Sequence, residues 1–93
     1  MVVGVLELVL RLPEAQSLKE KRRVIKSLVT RVRNRFNVSV SEIDNQDRWQ
    51  LATIAVAHVG SDKAFSNQVL DQVLNFSERV KGLEVIDSRL ELF

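Results

Sequence analysis

The chain has 93 residues, 45% of them hydrophobic, and a formal net charge of +2 at pH 7, which suits one domain with a modest core. It contains no cysteine, so disulfides and thiolate metal centres are excluded and a reducing cytoplasm is the expected compartment. The apolar stretch from Met1 to Leu12 is broken by Glu7; it is too short to cross a bilayer and lacks the form of a signal peptide, so no membrane association is expected.

Residues Val2 to Leu12 alternate as a strand does. Gly4, Leu6, Leu8, Leu10 and Leu12 form a core face, and Val3, Val5, Glu7, Val9 and Arg11 a mixed one. Pro13, with no N–H to give, ends the strand. Ser17-Leu18-Lys19-Glu20 has the form of a capping box, in which Ser17 accepts from the N–H of Glu20 and the Glu20 carboxylate reaches back to the N–H of Ser17. A helix then runs to about Arg35, burying Ile25, Leu28, Val29, Val32 and Phe36.

Phe36, Val38 and Val40 alternate with Asn37, Ser39 and Ser41 as a second strand. Asp44-Asn45-Gln46-Asp47 is turn chemistry, and Arg48 to Val59 reads as a third strand closing a hairpin. Ser61 or Asp62 caps a second helix whose predicted buried stripe is Phe65, Val69, Val73, Phe76 and Val80, with Leu70 and Leu74 on the flank. Gly82 suits the left-handed residue that ends a helix. The last strand spans Leu83 to Phe93, with Ile86, Leu90 and Leu92 towards the core and Val85, Asp87, Arg89 and Glu91 away from it.

The order is βαββαβ. Each helix has a single apolar stripe, so both must cover one face of a four-stranded antiparallel sheet. The expected fold is a single α+β domain, residues 1–93, of the ferredoxin-like split βαβ type. The other sheet face stays open and offers Val3, Val5, Val9 and Val85 among charges. A half-apolar open face is a candidate interface for a second copy of the chain.

The net charge hides a strong asymmetry. Between Lys19 and Arg35 lie eight basic residues and one acid, Glu20, for a local +7, while the remainder carries −5. At 100° per residue, Lys19, Arg22, Arg23, Lys26 and Arg33 fall within about 100° of one another, opposite the apolar stripe. Arg31 lies outside this arc and Lys21 and Arg35 lean towards the apolar edge; Arg31 and Arg35 are candidate extensions of the patch. Lysine and arginine in the first turns oppose the helix dipole, and no acids at i±4 neutralise the face. Such a face suits an anion: Lys19, Arg22 and Arg23 with the first helical N–H groups form a candidate phosphate site. A solvated charged surface or an acidic protein partner is the alternative use of the same charges.

Trp49, beside Arg48, is a candidate for stacking on a base; packing at the end of the core is the competing role. The open sheet face lacks the aromatic pair or triplet of an RNA-recognition sheet. His58, alone and within a strand, is expected to be structural. Glu42, Asp44 and Asp47 crowd one turn, but turns are acidic for backbone reasons, and no metal or cofactor is expected. No P-loop, nucleophile elbow or glycine-rich phosphate loop is present, so a catalytic role is not expected.

Three segments together resemble the YlxP-like family of small bacterial domains: Ser17-Leu18-Lys19-Glu20-Lys21-Arg22-Arg23, Arg35-Phe36-Asn37-Val38-Ser39 and Asp47-Arg48-Trp49-Gln50. The resemblance implies a ferredoxin-like fold and a gene often found in a bacterial translation operon, beside initiation factor two and ribosome-binding factor A. It carries no catalytic residues. The resulting expectation is a non-catalytic module that contacts RNA or ribosome phosphates through Lys19, Arg22, Arg23, Lys26 and Arg33, in an accessory role in translation or ribosome assembly. Five such contacts predict a log–log salt slope of about −3.5 on single strands and about −4.5 on duplex. The alternative is a homodimeric interaction protein that docks an acidic protein partner.

Overall fold

Ten residues of alternating burial form β1 (Val2–Arg11), one of the two inner strands of the sheet in a computed structural model that describes residues 1–93. It pairs antiparallel with β3 (Leu51–Gly60) on one side and with β4 (Glu84–Leu92) on the other; β2 (Ser39–Asp44) adds to the outer side of β3. The strand order is β2-β3-β1-β4. Helices α1 (Leu18–Arg35) and α2 (Lys63–Glu78) complete the βαββαβ sequence, as the apolar periodicity predicts. Leu6, Leu8, Leu10 and Leu12 from β1 and its exit meet Ala52, Ile54 and Val56 of β3. Above them lie Ile25, Leu28 and Val32 of α1 and Leu70 and Val73 of α2.

Capping follows the sequence closely. Ser17 Oγ accepts from the Glu20 N–H at 3.1 Å, but the Glu20 carboxylate takes the N–H of Gln16 at 2.7 Å instead of that of Ser17. Asp62 caps α2 by accepting from the Phe65 N–H at 3.1 Å, and Gly82 has φ +91°, where a Cβ would be strained.

Four further expectations need correction. In α2 the buried face is Ser66, Leu70, Val73 and Ser77, while Phe65 is 55% exposed. The helix is rotated about one residue from the predicted stripe because it descends onto glycine: a Cβ on Gly4 would stand 2.7 Å from Leu70 Cδ1. Ser66 fits that close approach, and the hydroxyls of both buried serines are satisfied, Ser77 by donating to Val73 O and Ser66 through His58 Nδ1, both at 2.8 Å. His58 itself is buried.

In β4 a bulge opposite Val9 and Leu10 pairs Leu10 with Val85 but Val9 with Asp87. Val85 therefore packs on the core and Ile86 is left exposed, the reverse of simple alternation. The remaining two corrections are boundaries. β2 starts at Ser39, with Phe36 as the C-cap of α1, and β3 starts at Leu51, which leaves Arg48, Trp49 and Gln50 in the connection.

Candidate nucleic-acid interface

The eight basic residues of the α1 segment divide into three groups. Lys19, Arg22, Arg23 and Lys26 are exposed, and none of them is in an ion pair; the ion pairs are Arg11–Glu84, Lys21–Glu42 and Arg89–Glu91. Glu20, the one acid in the segment, is turned away to the Gln16 N–H. The outer face of the first half of α1 is thus four uncompensated cations. The helix start is a different matter. Ser17 Oγ takes the N–H of Glu20 and the Glu20 carboxylate holds the approach at Gln16, while the four side chains supply the charge.

The second group ties α1 to the edge strand. Lys21, expected at the apolar margin, is fully buried. Its Nζ lies 2.9 Å from Glu42 Oε2 and donates to Asn45 O. Arg33, predicted as part of the free stripe, instead donates to Val40 O at 2.8 Å. Lys21 and Arg33 are separated by about 18 Å of helix, and Val40 and Asn45 by about 17 Å of strand, so the two straps fit antiparallel alignment of α1 and β2. They leave four cations, not five, for an outside partner.

The third group is Arg31 and Arg35, whose guanidinium carbons sit 5.2 and 5.3 Å from the centre of the Phe76 ring. They belong to a groove between α1 and α2 and not to the outer face.

The β2–β3 connection is held beside the start of α1. Asn45 has φ +62°; its side-chain amide donates to Thr53 Oγ1 at 2.9 Å, and its carbonyl receives Lys21. Gln50 Nε2 donates to Ala15 O at 3.1 Å and to Pro13 O at 3.3 Å. Fixed at both ends, this connection presents Arg48 and Trp49 to solvent. Trp49 is 54% exposed, so it is not a core residue, and it lines a shallow recess of about 300 Å³ with Arg48, Gln50 and Leu51. The acidic turn is engaged in its own contacts: Glu42 meets Lys21, and Asp44 Oδ1 accepts from the Asn45 N–H at 2.8 Å.

On the open sheet face, Val3, Val5 and Val9 are half-buried beside Ala55 and Ala57, and Val59 is exposed. No helix is long and apolar enough to cross a membrane.

Sheet order and helix placement define an α+β protein of ferredoxin-like class. A designed protein, Foldit4, shares this fold at TM-score 0.51 and 19% identity, over 98% of this chain and 93% of that one. The chain belongs to the family described as "Protein of unknown function (DUF503)", which matches residues 3–90. It is 44% identical over 80 residues to the uncharacterized protein YlxP of Bacillus subtilis (strain 168), a match that spans 86% of this chain and 87% of that protein. The family resemblance read from the three sequence segments therefore holds.

Proposed function

We propose that this protein is a non-catalytic binding module of the cytoplasm that contacts phosphates of RNA, on its own or within a ribosomal subunit, through the outer face of α1. The observation that carries this reading is the set of four exposed cations, Lys19, Arg22, Arg23 and Lys26, with no carboxylate partner. Like charges on successive turns repel one another, and a polyanion turns that cost into binding energy through counterion release. The translation-operon setting that the family resemblance implies points to the same kind of partner. Trp49 and Arg48, clamped next to the start of α1, add a stacking platform for an unpaired base.

The test is sedimentation with ribosomal subunits at low and high salt, alongside the double variant Arg22→Gln/Arg23→Gln. Salt-sensitive co-migration lost in the variant is the expected result. An absence of co-migration at low salt would remove the reading and leave α1 to an acidic protein partner. A second reading, compatible with the first, is homodimerisation through the open sheet face; the half-buried Val3, Val5 and Val9 and the exposed Val59 support it.

A further inference from the structure

Between the C-terminal turn of α1 and α2 lies a groove of about 220 Å³ lined by Arg35, Phe36, Gln72, Asn75, Phe76 and Arg79. Phe36 and Phe76 form its apolar floor, edge to face with ring centres 6.1 Å apart. Arg31 and Arg35 lean over the Phe76 ring. None of Arg31, Arg35 and Arg79 is in an ion pair, and no acid lines the groove.

We infer that this groove binds one unpaired nucleotide of a single-stranded RNA, with Arg35 and Arg79 on the phosphate and Gln72 and Asn75 on the base edge. The proposal deepens the RNA-binding reading but uses a different set of residues from the outer face of α1.

Four features carry it. A guanidinium resting on an aromatic ring has little freedom left to lose on binding, while its in-plane N–H groups stay available for a forked contact with phosphate oxygens. The bland role of these arginines, compensation of the helix C-terminal dipoles, is also met by exposed side chains; it does not require Arg35 and Arg79 to line one groove without an acid. The two amides place donors and acceptors beside the cations, the chemistry that reads a base edge. Finally, the groove is open-sided, so a strand can enter and leave it while one of its nucleotides is held.

The experiment is an amide and arginine side-chain NMR titration of the full chain with uridine 5′-monophosphate, inorganic phosphate, and ten-residue oligouridylate and oligodeoxyuridylate. Salt-dependent anisotropy is run in parallel on Arg35→Gln/Arg79→Gln, Gln72→Ala/Asn75→Ala and Arg22→Gln/Arg23→Gln. With oligouridylate, the side-chain signals of Arg35, Arg79, Gln72 and Asn75 are expected to shift. Arg35→Gln/Arg79→Gln should weaken binding about tenfold and flatten the salt slope by about 0.7, the single-strand value for one phosphate. Gln72→Ala/Asn75→Ala should weaken binding with the salt slope unchanged.

Equal shifts with inorganic phosphate alone would show an adventitious ion only and overturn the nucleotide assignment, as would tighter binding of the free monophosphate than of the strand. RNA binding that shifts only residues Lys19 to Lys26 would overturn the groove while leaving the outer-face reading intact. Groove shifts that persist in Arg22→Gln/Arg23→Gln would support the groove even if the outer face binds nothing. No shift at the groove with any oligonucleotide would end the proposal.

Discussion

Lys21 Nζ and Glu42 Oε2 stand 2.9 Å apart, joining the first turns of α1 to the edge strand β2, with the lysine side chain 1% exposed and the glutamate 21%. Burying two charges is costly, and their mutual attraction is repaid only while both are present. Lys21→Ala leaves Glu42 in a largely dry site with no cation, and also frees the Asn45 carbonyl. The expected loss is about 3 kcal/mol, a fall in Tm of roughly 15 °C. The double variant Lys21→Met/Glu42→Leu should recover most of it, which denaturant titration of both proteins would show.

Arg33 and the pair Arg22 and Arg23 should separate cleanly in solution. Arg33→Gln removes a charged donor from Val40 O and should cost about 1 kcal/mol of stability without changing the salt slope of RNA binding. Arg22→Gln/Arg23→Gln should leave stability within about 0.5 kcal/mol and flatten the single-strand slope by about 1.4 from a starting value of about −2.8. Thermal melts and anisotropy at several salt concentrations check both halves; a slope that tracks Arg33 would reverse the assignment.

Gly4 faces Leu70 and Leu92, and an added Cβ would lie 2.7 Å from Leu70 Cδ1 and 3.1 Å from Leu92 Cδ2. Gly4→Ala should therefore destabilise by about 1–3 kcal/mol through overpacking. Leu70→Val in the same chain should restore part of the loss, a coupling that a double-mutant cycle would read directly.

Val5 sits mid-strand on the open face, opposite Ala57 and Glu91. If that face pairs two copies, Val5→Glu should yield a monomer in analytical ultracentrifugation with the melting temperature of the dilute protein little altered. A wild-type monomer at high micromolar concentration would count against the dimer outright.

The fold was readable because β1, α1 and the two helix caps rest on local patterns: period two, period 3.6, and Ser or Asp at the N-cap. What escaped the sequence depends on partners distant in the chain. Ile86 looks like a core residue and Val85 like a surface one until a bulge opposite Val9 and Leu10 inserts an extra residue and reverses the faces. Phe65 outranks Ser66 in hydrophobicity, yet the serine faces inwards because Gly4 and Gly60 let α2 come close. Arg33 reads as solvent-facing charge and Lys21 as marginal, since nothing local announces that Val40 O and Glu42 will meet them. The outer cations Lys19, Arg22, Arg23 and Lys26 were placed correctly because exposure opposite an apolar stripe follows from helix geometry alone. The grouping of Arg31 and Arg35 with Arg79 was not legible, since it needs two helices to be docked.

The contacts of β2 bear on how the molecule behaves in a crowded cell. Val40 O is held by Arg33, Glu42 O receives Gln46 Nε2 at 3.4 Å, and Asn45 O is held by Lys21. Val40 and Glu42 are alternate residues of one strand, so their carbonyls point to the same side. A foreign strand seeking to extend the sheet there finds its acceptors already engaged. An edge whose acceptors are partly engaged is a poorer template for an added strand.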